Sequence, residues 1–124
     1  MPAIRVLLVE DEGLIRLMLI DFLQDEGFEV TEARDGDEAA RLLDGGQDFD
    51  VLFTDVRMPG RLDGVDLALR ARGQHPALPL LIVSGYSDRL TTRLAVFEPP
   101  ASFLSKPFKL QDVAHALRRL AEGQ

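Results

Sequence analysis

The stretch Val51-Leu52-Phe53-Thr54-Asp55-Val56-Arg57-Met58-Pro59 combines the pattern of a buried strand with a carboxylate at the end of that strand. Its first residues do not alternate between apolar and polar, which is typical of a strand covered on both faces of a parallel sheet. Pro59 and Gly60 cannot continue a central strand. Ligands of open parallel α/β sheets bind at the carboxyl ends of the strands, so Asp55 is predicted to lie at a functional edge.

Length and composition bound the rest of the interpretation. The chain has 124 residues, of which 46% are hydrophobic and 28% charged, as expected for one globular domain spanning residues 1–124. The absence of cysteine excludes disulfides and thiolate metal sites and fits a cytoplasmic location. The sequence shows neither a membrane-spanning run nor a signal pattern. The net charge of −7 argues against direct binding of nucleic acid phosphates.

Strand patterns alternate with helix patterns along the whole chain. Strands are predicted at residues 4–9, 28–33, 51–55, 80–84 and 102–105. This alternation predicts a doubly wound, five-stranded parallel sheet with the topology (βα)5 and three α/β/α layers.

Apolar spacing predicts which face of each helix packs on that sheet. The second helix is expected to begin at Asp35 or Asp37 and to end at Gly45-Gly46, the third to cover residues 65–72, and residues 87–97 to be moderately helical. The residues expected to face the sheet are Ile15, Met18, Leu19 and Phe22 in the first helix, Ala39, Leu42 and Leu43 in the second, Val65, Ala68 and Leu69 in the third, and Leu110, Val113, Ala114, Leu117, Leu120 and Ala121 in the last.

Charged and hydroxyl side chains end the predicted buried strands. The first strand ends on Glu10 and Asp11, the third on Asp55, the fourth on Ser84 and the fifth on Lys106. Three neighbouring carboxylates repel each other unless a cation lies among them, and oxygen ligands without Cys or His favour Mg²⁺. A carboxylate beside a metal, an amine and a hydroxyl can accept a phosphoryl group.

The sequence resembles the receiver domain of two-component response regulators over essentially its whole length. The resemblance rests on four motifs in the order and approximate spacing of that family: Val9-Glu10-Asp11-Glu12, Thr54-Asp55-Val56-Arg57-Met58-Pro59-Gly60, Ser84-Gly85-Tyr86 and Lys106-Pro107-Phe108. It implies a flavodoxin-like fold and a signalling domain with intrinsic self-dephosphorylation rather than a dedicated enzyme.

The resemblance also implies roles for the site residues. Asp55 would be the phosphoacceptor and Asp11 the direct Mg²⁺ ligand, with Mn²⁺ able to substitute. Glu10 would act through a water, and the backbone carbonyl of Arg57 would complete the protein ligands. Lys106 would pair with the phosphate.

Further implied roles concern the switch and the lifetime of the phosphate. Ser84 would turn towards the phosphoryl oxygen, and Phe103 would report this movement. Arg57 and Tyr86 are predicted to overlook the approach of water and to slow hydrolysis.

The implied partners are a sensor histidine kinase or a histidine phosphotransfer protein, and an unknown downstream protein. No output domain follows Lys106, and Met1 with a complete last helix favours a single-domain regulator over a receiver cut from a longer protein. The loop after Pro59, which includes residues 61–64, is one residue longer than the commonest form of this loop in the family that the sequence resembles. Pro99-Pro100 stiffens the connection before the fifth strand and weakens the case for a phosphorylation-linked homodimer.

Several alternative interpretations stay open at this stage. Residues 10–12 could only cap the first helix, Ser84 could belong to a turn, and Phe103 could be a core residue. An aspartyl-phosphate phosphatase would need a second Asp two residues after the nucleophile, where this chain has Arg57. A pseudo-receiver that binds partners without phosphorylation would not need the three acids and Lys106.

Overall fold

The computed structural model describes residues 2–85 and 96–123, and its core is one parallel sheet. The five strands lie in the order β2-β1-β3-β4-β5. Their bounds are Arg5–Val9 (β1), Glu29–Ala33 (β2), Val51–Asp55 (β3), Leu80–Ser84 (β4) and Ser102–Ser105 (β5). All five strands were expected, although β1 and β2 each begin one residue later than the sequence pattern indicates.

Helices cover both faces of this sheet. The described helices are Gly13–Asp25 (α1), Gly36–Asp44 (α2), Gly64–Gln74 (α3) and Leu110–Ala121 (α4). One apolar cluster joins α2 and α3 to the sheet, and the other joins α1 and α4 to the opposite face. The predicted doubly wound, flavodoxin-like α/β/α architecture is therefore confirmed. Most of the helix predicted for residues 87–97 lies outside the described residues.

The order of the strands brings the functional stretch next to the first strand. The chain passes from β1 outward to β2 and then returns to place β3 on the other side of β1. Val9 is the register partner of Thr54, and Asp55 is the register partner of Val83. The residues that follow β1 and end β3 consequently meet at the carboxyl edge, where this topology reverses its winding direction.

Burial explains the two kinds of strand pattern. Every residue of β3 and β4 is buried, because helices cover both faces of these inner strands. In β2, at one side of the sheet, only Ala33 is buried. In β1, by contrast, every residue except Arg5 is buried.

Local hydrogen bonds fix where two of the helices begin. The Asp35 carboxylate accepts a hydrogen bond from the Glu38 backbone N–H at 2.8 Å, which identifies Asp35, not Asp37, as the residue that caps α2. Asp63 and Asp66 form a reciprocal capping box at the start of α3. Capping at Asp63 lets α3 begin at Gly64, one residue before the predicted start.

Two predicted core positions are wrong. Met18 is 51% exposed and Leu69 is 44% exposed, whereas Leu23 and Leu67, which the pattern did not single out, are buried. In α1 apolar residues occur around most of the helix, so spacing alone could not select the packed face; Leu14 and Leu17 are exposed as well. In α3 the buried side chains are those of residues 65, 67, 68 and 71, and position 69 lies outside the face that they form.

The bounds of the helices also answer a question about membranes. Within residues 2–85 and 96–123, no helix is long and apolar enough to cross a membrane.

Candidate functional site

Asp55 occupies the centre of the carboxyl edge of the sheet. It ends β3 and is only 5% exposed. One carboxylate oxygen, Oδ1, accepts a hydrogen bond from the Arg57 backbone N–H at 3.2 Å. The other, Oδ2, lies 2.5 Å from the Lys106 ammonium, which arrives just after β5. A buried carboxylate thus faces a cation that comes from the far side of the sheet.

The backbone of Asp55 is confined by the start of α3. A Cβ atom built on Gly64 would lie 2.0 Å from the Asp55 carbonyl oxygen and 2.9 Å from the Val56 Cα. The Gly64 N–H also donates a hydrogen bond to the Val56 carbonyl oxygen at 2.7 Å. Sequence reasoning missed this contact. A glycine directly after a capping Asp was the available signal, but the partner of that glycine depends on the path of the loop.

Glu10 joins the site from the end of β1. It is 5% exposed, and its carboxylate accepts a hydrogen bond from the Glu12 backbone N–H at 3.1 Å. Helix α1 begins at Gly13, and its N-cap residue Glu12 makes no side-chain capping bond. The alternative that residues 10–12 serve only to cap this helix is therefore not supported.

Three carboxylates converge at this edge. Glu10, Asp11 and Asp55 each offer an oxygen atom, and these atoms lie within 4.8 Å of one another. Glu10 and Asp55 are buried, whereas Asp11 is exposed. The three acids that the sequence predicted to meet are thus brought together.

Electrostatics at the site follow from this crowding. Burial raises the pKa of Glu10 to about 7, and the nearby Asp11 and Asp55 add to this effect against the opposing Glu12 N–H and Lys106. Burial opposes the charged form of Lys106, but its hydrogen bond and attraction to Asp55 leave its pKa raised. Glu10 consequently holds its proton to an unusually high pH, chiefly because it is buried and to a lesser degree because two other acids lie beside it.

The donor set fits a hard divalent cation. All three side chains offer carboxylate oxygens, the ligands that Mg²⁺ prefers, and an added cation would offset the mutual repulsion of the three acids.

The remaining predicted residues lie around this centre. Ser84 ends β4, is 8% exposed, and accepts a hydrogen bond at its carbonyl oxygen from the Lys106 N–H at 2.8 Å. Phe103 on β5 is 55% exposed, so the alternative that it is a core residue is wrong. Arg57 is exposed and follows Asp55 by two residues, whereas Tyr86 lies outside the described residues.

Comparison with known proteins agrees with this geometry. The sequence model of the response regulator receiver domain family matches residues 6–118 of this chain. The sensor kinase CckA of Brucella abortus is 36% identical over 120 residues, which are 96% of this chain and 13% of the kinase. The response regulator receiver protein CpdR of the same bacterium is 32% identical, over 94% of this chain and 95% of its own length.

A solved structure supports the same relationship. A response regulator receiver protein from Sinorhizobium medicae superposes with a TM-score of 0.86 at 30% sequence identity, covering 97% of this chain and 95% of that one. The chain spans only 13% of CckA and about half of the length of two further curated relatives that it matches. Receiver domains are signalling domains rather than classical enzymes, and they bind Mg²⁺ through acidic residues. The family match, the relatives and the fold together mean that the chain belongs to the response regulator receiver domain family of two-component signal transduction.

Proposed function

We propose that Asp55 accepts a phosphoryl group from a phosphohistidine of a sensor histidine kinase or histidine phosphotransfer protein. The observation that carries this proposal is the buried Asp55 carboxylate, 2.5 Å from Lys106 and grouped with two further acids. An Asp55 oxygen attacks phosphorus, the phosphorus–nitrogen bond breaks, and its electron pair stays on the imidazole of the donor. Lys106 offsets negative charge on the transferred group.

The acids would hold a divalent cation during this transfer. Glu10, Asp11, Asp55 and the backbone carbonyl of Arg57 are the proposed ligands of Mg²⁺, which Mn²⁺ could replace. The bound ion would supply charge neutralisation for the phosphoryl oxygens. The alternative of a phosphatase is disfavoured because Arg57 stands where such an enzyme needs its acid. A pseudo-receiver is disfavoured by the complete acid cluster with its lysine.

An apolar surface beside the site supports a protein as the donor. Leu14 is 75% exposed and Leu17 is 61% exposed on α1, which begins just after the acids. A groove of about 530 Å³ next to this helix is lined by Met18 and Phe108 together with Glu10 of the site. Exposed apolar surface of this kind marks protein interaction sites. We propose that the phosphoryl donor binds at this surface and that a downstream protein is the target of the signal. We also propose that the chain acts in the cytoplasm, without a membrane or nucleic acid partner.

Phosphorylation would shift an equilibrium between two conformations. Ser84 would turn towards the phosphoryl group, and the exposed ring of Phe103 would move with it. The acyl phosphate would then be lost to an in-line water. Arg57 and Tyr86 would hinder that water, so Arg57→Ala should shorten the lifetime of the aspartyl phosphate. Arg61→Ala, in the same loop, is the control and should leave the lifetime at the wild-type value. If Arg57→Ala also leaves the lifetime unchanged, Arg57 does not have this role.

The central experiment is labelling by acetyl phosphate in the presence of Mg²⁺. We expect mass spectrometry to detect one added phosphoryl group on the wild type and none on Asp55→Asn. Asp44→Asn, which changes an exposed acid paired with Arg70 on α3, is the control and should be labelled normally. Labelling of Asp55→Asn at the wild-type level would refute Asp55 as the acceptor.

A further inference from the structure

Arg16 connects α1 to the acidic cluster without being part of it. Its Nη1 donates a hydrogen bond to the Glu10 carbonyl oxygen at 2.8 Å, and its Nε donates one to the Glu32 carboxylate at 3.1 Å. The Arg16 side chain is only 19% exposed. The guanidinium therefore joins the helix, the residue after β1, and β2.

The Arg16 bond completes the restraint of Glu10. The Glu10 N–H donates to the Ala33 carbonyl oxygen at 3.1 Å, and the Glu10 carboxylate accepts from the Glu12 N–H at 3.1 Å. The carbonyl held by Arg16 belongs to the peptide bond that leads into Asp11. Its orientation therefore sets the position from which the Asp11 carboxylate reaches the cluster.

The N-cap residue and first turn of helix α1 lack the usual capping groups. Its N-cap residue Glu12 makes no side-chain capping bond, and its first turn contains no acid. The two hydrogen bonds of the Arg16 guanidinium therefore hold the start of the helix in place relative to the ends of β1 and β2.

We infer that Arg16 is a positioning residue for the metal-binding acids and increases the affinity of the site for Mg²⁺. The inference rests on the proposed function, because it assumes that the acids bind this ion. Groups that orient metal ligands from behind typically contribute about 10–100-fold to metal affinity.

The charge of Arg16 makes the inference sharply testable. A cation near the site repels Mg²⁺, so an effect of charge alone would make binding tighter when the guanidinium is removed. Loss of positioning has the opposite sign, because the acids would no longer be held in place. The direction of the change therefore separates the two roles.

The experiment measures binding of MgCl₂ to the full chain by isothermal titration calorimetry. We expect Arg16→Met, which keeps most of the aliphatic stem, to bind Mg²⁺ about tenfold more weakly than the wild type. Arg16→Lys keeps the charge but cannot reach both acceptors, and it should also bind more weakly. Arg5→Met, which breaks an ion pair with Asp50, is the matched control and should retain the wild-type affinity.

Each outcome distinguishes the inference from the proposal beneath it. Unchanged or tighter binding by Arg16→Met would overturn the positioning role, and Arg16→Lys with wild-type affinity would do the same if Arg16→Met does not fold. Thermal melting without Mg²⁺ distinguishes a positioning role of Arg16 from a role in stability alone. A purely structural role would lower the melting temperature and leave the affinity for Mg²⁺ unchanged. A wild type that neither binds Mg²⁺ nor is labelled at Asp55 would instead refute the proposed function.

Discussion

At the scale of single residues, Asp55 is held through its backbone as well as through its carboxylate. Gly64 lies so close to the Asp55 carbonyl that a residue with a side chain does not fit at position 64. The same glycine donates its N–H to the next carbonyl of the chain, that of Val56. A substitution remote from the carboxylate group can therefore displace that group.

Gly64→Ala tests this contact. The added methyl group would overlap the Asp55 backbone, so we expect a loss of at least about 1–3 kcal/mol in the free energy of unfolding and slower labelling by acetyl phosphate. Urea denaturation and labelling kinetics measure the two effects.

Gly73 provides the control for this substitution on the same helix. A Cβ built on Gly73 meets no atom within 4 Å, and Ala is the better helix former by about 0.5–1 kcal/mol. Gly73→Ala should therefore be neutral or stabilising. A Gly64→Ala protein that matches it in stability and labelling would mean that the loop relaxes around the methyl group.

At the scale of elements, Arg72 ties α3 to the segment before β5. Its Nε donates to the Leu78 carbonyl oxygen at 2.6 Å, and its Nη1 donates to the Pro99 carbonyl oxygen at 2.7 Å. The guanidinium also lies 5.9 Å from the centre of the buried Phe97 ring. Burial lowers the pKa of Arg72, although Glu98 opposes this shift. The stiff Pro99-Pro100 connection noted in the sequence is thus also anchored from the side.

Arg72→Met should cost about 1–3 kcal/mol in the free energy of unfolding, because two charge-assisted hydrogen bonds to backbone carbonyls are lost. Arg70→Met, two residues earlier on the same helix, removes an exposed ion pair with Asp44 and should cost less than about 1 kcal/mol. Urea denaturation of both variants checks the difference. Equal losses would show that the Arg72 bonds contribute no more than a surface pair.

At the scale of the whole molecule, charged side chains lie at both ends of the strands, and each end holds an ion pair. The carboxyl edge concentrates acids, whereas the opposite edge pairs Arg5 with Asp50 at 3.3 Å. Partial burial disfavours the charged form of Asp50, but hydrogen bonds from the Arg5 backbone and side chain keep the pKa of Asp50 below its ordinary value.

The lowered pKa of Asp50 predicts a dependence of stability on pH. The unfolded state binds the proton more readily, so this pair stabilises the fold above the ordinary carboxyl pKa of about 4 and loses its effect as the pH falls through the folded-state value. Urea denaturation should show Asp50→Asn to be less stable than the wild type near neutral pH. This difference should shrink as the pH is lowered towards about 3. A difference that stays constant would mean that the carboxylate charge contributes nothing.

Sequence patterns predicted the architecture and the meeting of Asp55, Lys106 and the two acids after β1, because strand ends in a parallel sheet share one edge. They could not choose between Met18 and Leu23 for the core, since apolar residues surround most of α1. They also missed Gly64, which contacts the Asp55 backbone, and Arg16, which bonds to the Glu10 carbonyl oxygen and the Glu32 carboxylate. Periodicity describes faces of elements, whereas such contacts depend on the path between elements.

Because the ring of Phe103 is exposed, a fluorescent side chain at this position can report the conformation of the protein. The chain has no tryptophan and a single tyrosine, so Phe103→Trp would introduce its only indole fluorophore. A solvent-facing indole emits at long wavelength, and inward movement on treatment with acetyl phosphate and Mg²⁺ would shift its emission to the blue. Emission that stays the same while Asp55 becomes labelled would show that position 103 takes no part in the switch. One substitution on an open side of β5 could thus follow the conformational change continuously, in solution and without a partner protein.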